Sequence, residues 1–596
     1  MDMNIKTTLQ KIKAFITEPI RHEPVFFCLI PLFMFFSHFL YELPEEYASF
    51  FHYRNLLIFL SNSVFMSWLL SILIYWTHSK LLKILAYSVM IFLMAVDLFL
   101  YFNFQTIMSP WILLLLKETN IQESSEFLEH YLFTDDSIIC YVIVGAAIVL
   151  TCILERINRK RLSLSRWAQW TICLILVCFF VIGAYIFSWT ARLPLLSSQI
   201  ELDEWDGRHG GFARRNTPTN LLFSTLFLHA SSQEHEYAIQ SCFSALNHQA
   251  TCSEKDSLNV IFIIGESFNK YHCPLYGYPI NTTPHLCQEK EKGNLHVFTD
   301  AIAPYNLTSY AVKNICSTNS IADHETWFTK PSFMMLFKQA GFYVSLWSNQ
   351  RIDSDLSSHD YALNSYLYDT RLIPLLYNEY NTKSFTYDLR MVQRFQQYRA
   401  KHPRQSHPLN LYVFHLLGQH SNAINRFPHE SQFLYFSTDS IKRPDLHESQ
   451  RQTIADYDNA TRYNDKVIKS IMDYFHNTSA ILVYLSDHGE EVYDYRNYVG
   501  RSHEAKKSKE ALRYQFEIPC FVWYSNRYEA SHPEIVSAIK AAVDKPMSSD
   551  DISHTLLNMA SIHTPYYHNN RDVLSDQFVV KPRIVQGKID YDKQIR

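Results

Sequence analysis

Residues 481–494 read ILVYLSDHGEEVYD. The apolar residues Ile481 to Leu485 have the length and composition of a buried strand. Asp487 and His488 follow at once, then Gly489 and two acids, Glu490 and Glu491. Taken alone, the stretch fits a solvated strand end with a turn glycine. It fits equally well one part of a cluster of metal ligands.

The surrounding chain repeats the pattern. From Leu258 onward, apolar strand segments alternate with helical ones. The strands are expected at Asn259–Ile264, Tyr343–Trp347, Leu409–His415, Ala480–Leu485 and Ile518–Tyr524. Helices are expected at Thr329–Ala340, Phe385–Lys401, Gln450–Tyr474 and Ser549–Ala560. Such alternation predicts an α/β domain with a mainly parallel sheet covered on both faces. Ligands in these folds sit at the carboxyl ends of the strands. Three of those ends carry chemistry. One strand runs into Gly265-Glu266-Ser267, another into Gly418-Gln419-His420, and a third into Asp487-His488. Convergent oxygen and nitrogen ligands of this kind suit a zinc-type site.

A nucleophile is sought nearby. Thr308 and Ser309 open a helical pattern, so the helix amides would face an anion. Either hydroxyl would also serve as an ordinary N-cap, and the two readings are compatible.

The first third of the 596-residue chain differs in kind. It holds apolar runs at Val25–Leu43, Leu56–Trp76, Leu81–Phe102, Ser137–Leu154 and Trp167–Phe187. Each is near the ~20 residues that cross a bilayer. No small-residue cleavage site follows the first run, so it reads as a span and not as a cleaved leader. Lys6, Lys11, Lys13 and Arg21 flank the first run. Lys80 and Lys83 lie between the second and third, and Arg156, Arg159, Lys160, Arg161 and Arg166 between the fourth and fifth. The other two connections are acidic. The alternation predicts a cytoplasmic N-terminus, five crossings and an outer C-terminal part, periplasmic in a two-membrane bacterium. The expected domains are a transmembrane domain at 1–190, a partly interfacial connector at 191–257 and a catalytic domain at 258–596. A formal net charge of −4 gives no sign of a nucleic-acid surface. Of eleven cysteines, Cys28, Cys140, Cys152, Cys173 and Cys178 lie in spans. In an oxidising compartment Cys242 and Cys252 are a plausible local disulfide, and free buried thiols are the alternative.

The order of five spans, GES, a threonine opening a short helix, GQH, SDHGEE and a late histidine resembles the membrane-bound phosphoethanolamine transferases of the alkaline phosphatase and sulfatase superfamily. The likeness covers nearly the whole chain. SDHGEEVYD is most similar to the CptA-like branch, which modifies the lipopolysaccharide core. The resemblance implies an alkaline phosphatase/sulfatase-like catalytic domain. It implies Zn2+ held by Glu266, Asp487 and His488, with Thr308 as the nucleophile that also contacts the metal. It makes His420 a histidine near the substrate phosphate, although Ser421 replaces the usual glycine after it. His503 is the candidate for a second such histidine, and its local sequence departs from the family pattern. Pro304 stands where the family has a cysteine before the nucleophile. The implied reaction moves phosphoethanolamine from phosphatidylethanolamine to lipopolysaccharide, on a core sugar or on lipid A, at the inner membrane, through a phospho-threonine intermediate and with a monomeric chain.

Other readings are weighed beside it. A sulfatase would need Cys-x-Pro-x-Arg, which neither Cys273-Pro274-Leu275 nor Cys316-Ser317-Thr318 supplies. A phosphoglycerol transferase shares the layout and differs in the donor headgroup. A membrane sensor or scaffold with a dead domain would have no need to keep Glu266, Thr308, Asp487 and His488 together. Bland readings are taken elsewhere: a strand-end turn or pocket wall for Trp347-Ser348-Asn349-Gln350, a packed histidine for His415, a structural helix for Tyr457-Asp458-Asn459, and a solvated loop for Arg501 and Lys506.

Overall fold

The computed structural model describes residues 2–42, 53–104, 106–109, 112–113, 116, 131–157, 166–196, 202, 205, 214–247, 250–350, 366–402, 407–420, 422–501, 509–587 and 589–595. The chain forms two compact units, Met1–Gln233 and Glu234–Arg596.

The first unit is helical. Its elements are α1 (Asp2–His22), α2 (Pro24–Glu42), α3 (Tyr53–Thr77), α4 (Lys80–Phe104), α5 (Asp135–Ile157) and α6 (Arg166–Thr190). The apolar runs named above fall on α2 to α6. Among the described residues, four segments are long and apolar enough to cross a bilayer: Arg54–Thr77, Lys80–Phe104, Asp135–Ile157 and Leu174–Leu195. A fifth is the pair Lys13–His22 and Pro24–Phe36, broken by 84°. The break falls at Pro24, which lacks an N–H and whose ring blocks continuation of α1. Helix α6 approaches α3 closely at Gly183, where a Cβ would lie 2.6 Å from the Ser61 carbonyl oxygen. Small residues allow such contact between apolar helices. Trp68 and Phe180 stack beside it, 4.4 Å apart. Asp97, buried in α4, accepts from the Met108 amide at 2.9 Å and the Thr217 hydroxyl at 3.3 Å. Those bonds offset the cost of burying a carboxylate. A further helix, α7 (Thr217–Ala245), follows.

The second unit is built on a seven-stranded sheet. Its strands are β1 (Leu258–Gly265), β2 (Leu295–Phe298), β3 (Tyr343–Ser348), β4 (Glu379–Tyr380), β5 (Leu409–His415), β6 (Ala480–Ser486) and β7 (Cys520–Tyr524). In space the order is β2-β7-β6-β1-β5-β3-β4. Strands β6, β1, β5, β3 and β4 pair in parallel, and β7 is antiparallel to both its neighbours. Side chains alternate across the sheet. Val260, Phe262 and Ile264 enter one core with Val413, Ile481 and Val483. Ile261 and Ile263 enter a second core with Phe414, Leu482 and Tyr484. Both faces are buried, which is why these strands read as unbroken apolar runs.

Helices cover the two faces. Residues of α8 (Thr308–Cys316), α9 (Phe333–Gln339) and α12 (Ile552–Met559) join the first core. Residues of α10 (Asp388–Lys401) and α11 (Glu448–Phe475) join the second. The five strands expected from sequence are all present. Helix α9 starts later than expected, because Pro331 biases the residue before it away from helical backbone.

The Cys242–Cys252 disulfide expectation is corrected. Both thiols are free. Cys242 is buried in the first core, and the Cys252 thiol donates to the Ala560 carbonyl at 3.3 Å. Among the described cysteines none is paired.

Candidate active site

Parallel register sets three strand ends side by side. Ile264 pairs with His415 on one side, and Gly265 with Ser486 on the other. The bonds continue past the strands. The Asp487 amide donates to the Gly265 carbonyl at 3.0 Å, and the Gln419 amide to the Glu266 carbonyl at 3.0 Å. Gly418, at φ +50°, lets its chain run close to Glu266; a Cβ there would lie 2.7 Å from the Glu266 carbonyl oxygen.

Glu266, Asp487 and His488 therefore meet, fully buried, with one ligand atom from each within 4.8 Å of the others. His488 Nε2 lies 3.3 Å from Glu266 Oε1 and 3.1 Å from Asp487 Oδ2. His488 Nδ1 faces the Gly489 carbonyl at 2.9 Å, which makes Nδ1 the donor and turns Nε2 inward. Asp487 Oδ1 accepts from the amides of Ser267 (3.1 Å) and His488 (2.8 Å), while its buried Oδ2 has no hydrogen-bond partner. A buried carboxylate oxygen that accepts no hydrogen bond and faces an imidazole nitrogen and a second carboxylate is a demand for a cation. Burial and Arg501 push His488 down, yet Asp487 and Glu266 outweigh them and hold it up at about 9. Burial and the Glu266 charge push Asp487 up. The donor set of two oxygens and one nitrogen fits zinc, with room for a further ligand.

Thr308 supplies the neighbouring hydroxyl. It is the first residue of α8, and the N-cap position belongs to Leu307, whose side chain cannot cap. Of the two compatible readings of Thr308, the ordinary N-cap is not met. Its half-buried hydroxyl donates instead to Glu266 Oε2 at 3.0 Å and lies 3.2 Å from His488 Nε2.

His420 ends the loop that carries Gln419. Burial, with Arg426 and Arg501, holds its imidazole down at about 3 against the pull of Glu266. It is therefore neutral across the physiological range. His503 and Lys506 lie outside the described residues.

Other residues surround the cluster. Gln350 Nε2 donates to Glu266 Oε2 at 2.8 Å and to the Leu416 carbonyl at 2.9 Å, so the segment after β3 does reach the site. Ser267 donates to Glu266 Oε1 at 2.7 Å. Tyr457 donates to the Ser267 carbonyl at 2.5 Å, in keeping with a structural role for that part of α11. His415 is buried, and burial pushes it down to about 4, as suits a packed histidine. The solvated-loop reading of Arg501 is corrected: its side chain is 11% exposed, and its Nε lies 3.2 Å from buried Glu490. Arg501 stands out in the sequence only as a basic residue behind a glycine, which gave no sign that the chain doubles back.

Comparison with known proteins agrees with this architecture. Residues 258–562 match the sulfatase family profile. Phosphoethanolamine transferase EptC of Escherichia coli K12 is 28% identical over 349 residues, 57% of this chain and 58% of that protein. The chain thus spans less than two thirds of that relative. The crystal structure of the C-terminal periplasmic domain of the Escherichia coli EptC protein in complex with Zn superposes with a TM-score of 0.50 at 27% identity, over 58% of this chain and 98% of that one. The integral membrane lipooligosaccharide phosphoethanolamine transferase A of Neisseria meningitidis superposes with a TM-score of 0.56 at 16% identity, over 91% of this chain and 97% of that one. The last likeness extends the shared fold through the helical unit.

Proposed function

Since the chain belongs to the sulfatase family through residues 258–562, we propose that it is a zinc-dependent transferase that moves phosphoethanolamine from phosphatidylethanolamine to lipopolysaccharide. One observation carries the reading: the Thr308 hydroxyl lies 3.0 Å from Glu266 Oε2 and 3.2 Å from His488 Nε2, in a site that calls for a cation. The phosphoethanolamine transferase relatives and the zinc complex of one of them support the same choice. Glu266, Asp487 and His488 would hold the metal, with Thr308 beside it. Bound there, zinc would lower the pKa of the threonine hydroxyl and draw charge from the phosphoryl oxygens.

The protein's own groups account for the rest. Thr308 Oγ1 forms a bond to phosphorus as the bond from phosphorus to the glycerol oxygen breaks. The threonine proton ends on that oxygen, and diacylglycerol leaves. Phosphoethanolamine stays on Thr308. In the second half an acceptor hydroxyl attacks the same phosphorus, the bond from phosphorus to Thr308 Oγ1 breaks, and the acceptor's proton ends on Thr308 Oγ1. His420 and His503 are the two candidates for carrying that proton. Amides at the N-terminus of α8 would face the phosphoryl group carried by Thr308. The spans keep the chain at the surface where donor headgroups lie. The basic flanks support an inner-membrane protein with its N-terminus in the cytoplasm and residues 258–596 in the periplasm. A monomer suffices, since every residue named lies on one chain.

The test is mass spectrometry of the Thr308 peptide after the purified full chain meets phosphatidylethanolamine without acceptor. A phosphoethanolamine adduct on Thr308, lost with a chelator, is expected. A phosphoglycerol adduct from phosphatidylglycerol would move the reading to a phosphoglycerol transferase. No adduct from either lipid in zinc-loaded protein would overturn it.

A further inference from the structure

We propose that Arg501 binds the non-bridging oxygens of the phosphoryl group while that group is transferred to and from Thr308. The inference rests on the transferase reading and adds a residue to it.

The chain that leaves Asp487 and His488 turns back on itself. Glu491–Val492 and Val499–Gly500 pair antiparallel, Val492 with Val499 and Glu491 with Gly500. Gly500 takes φ +121°, which a residue with a Cβ rarely adopts. The hairpin returns Arg501 to the ligands, and the Tyr498 hydroxyl donates to the Arg501 carbonyl at 2.9 Å. The guanidinium then reaches three groups. Nε lies 3.2 Å from Glu490 Oε2. Nη1 donates to the Asn306 carbonyl at 3.3 Å and touches His488 Nε2. Asn306 is two residues before Thr308, and His488 Nε2 is 3.2 Å from the Thr308 hydroxyl. The guanidinium therefore extends from Glu490 to the edge of the nucleophile.

A counter-ion for Glu490 alone would not need that reach. Nε faces the carboxylate, while Nη1 points at an imidazole nitrogen and a carbonyl. Burying a guanidinium is costly unless its donors are met. With His488 Nε2 committed as a metal ligand, Nη1 needs another acceptor close to Thr308. Phosphoryl oxygens are what the reaction brings there, and the planar guanidinium fork matches them. Charge points the same way. Glu266, Asp487 and Glu490 carry three negative charges when ionised, and a divalent metal with Arg501 balances them. Without Arg501 a phosphodiester anion would enter a pocket already negative. Arg501 keeps its protons throughout: the Thr308–phosphorus bond forms, the phosphorus–glycerol oxygen bond breaks, and the threonine proton goes to glycerol.

The experiment compares full-length protein with Arg501→Ala and Arg501→Lys. Four quantities are read: zinc content, affinity for inorganic phosphate, the rate of Thr308 adduct formation, and preference between the two phosphorothioate diastereomers of the donor. Arg501→Ala should keep its zinc, bind phosphate at least about tenfold more weakly, form adduct about a hundredfold more slowly and lose the diastereomer preference. Arg501→Lys should recover part of the rate without the preference, since a point charge replaces the fork. Wild-type rate and preference in Arg501→Ala would overturn the inference and leave the transferase reading intact. Loss of zinc in Arg501→Ala would overturn it too, by making Arg501 a support for the ligands. No adduct in wild type, with phosphate binding still dependent on Arg501, would sink the transferase reading and keep the phosphoryl contact.

Discussion

Replacing His272 by glutamine tests how the site is held in place. His272 is buried, with Nδ1 2.7 Å from Asp458 Oδ1 and Nε2 3.3 Å from Asp494 Oδ1. Burial alone would push its pKa down, but Asp494 and Asp458 outweigh it and raise it from 6.5 to about 10. Asp458 belongs to α11 and also accepts from Tyr278 at 2.8 Å. Asp494 accepts from the Val492 amide at 2.8 Å and from Asn269 at 2.9 Å. The imidazolium thus ties α11, the segment after Glu266 and the hairpin that returns Arg501.

A folded-state pKa raised above the unfolded one contributes stability fully present below the unfolded value. That stability is lost as pH rises through the folded value. Here the window runs from pH 6.5 to about 10. The shift corresponds to about 5 kcal/mol, consistent with the ~3–5 kcal/mol cost of breaking a buried pair. For a unit of this size that is about 5 to 10 °C in Tm. Thermal unfolding of the full chain in detergent, read by intrinsic fluorescence from pH 6 to 10.5, gives the comparison. The Tm gap between wild type and His272→Gln should be largest near pH 6 and shrink towards pH 10. Taking the difference cancels the titrating groups that do not touch His272. A gap that is constant with pH, or grows with it, would refute the charged-bridge argument.

Thr308→Ala should lower transfer about ten-thousand-fold or more while zinc content is unchanged, whereas Ser309→Ala should retain transfer; the reverse pattern in a labelled-lipid assay would shift the nucleophile by one residue. Asp487→Asn removes one of two buried carboxylates from the candidate ligand set and should weaken zinc binding at least about tenfold by competition with a chromogenic chelator. Gly418→Ala adds a Cβ 2.7 Å from the Glu266 carbonyl oxygen at φ +50°; it should cost about 1 kcal/mol or more from backbone strain and weaken zinc binding as Glu266 shifts. Zinc at a hundred times its dissociation constant should stabilise stripped protein by about 2.7 kcal/mol, seen as a rise in Tm that Asp487→Asn largely lacks.

Much of the site was legible because of where strands stop. A strand buried on both faces leaves no room for charge along its length, so Glu266 and Asp487-His488 stand out as soon as Ile264 and Leu485 end. The parallel-sheet rule then brings residues more than two hundred positions apart to one edge without any contact information. Thr308 was legible as a helix opener, yet the sequence could not separate a cap from a nucleophile. That distinction depends on Leu307 taking the N-cap position and on the hydroxyl turning to Glu266, both tertiary facts.

The features that the sequence left open or hid share a reason: they depend on a return path. Gln350 lies after β3, and nothing local says that its amide reaches back to Glu266. The reversal of β7 is equally silent, because a central antiparallel strand is as apolar as a parallel one. Arg501 is the sharpest case. A basic residue after Tyr-Val-Gly has the composition of a solvated loop, and its burial comes only from two-residue strands too short to leave a periodic signal. Asp494 supplies what that hairpin lacks in length. It accepts from the Val492 amide and faces the His272 imidazole, so a buried charge fixes a turn that its backbone pairing alone would hold weakly. On this argument Asp494→Asn should move Arg501 before it moves any zinc ligand: phosphate affinity should fall while zinc content is kept. Equal loss of both would place the bridge beneath the ligands themselves.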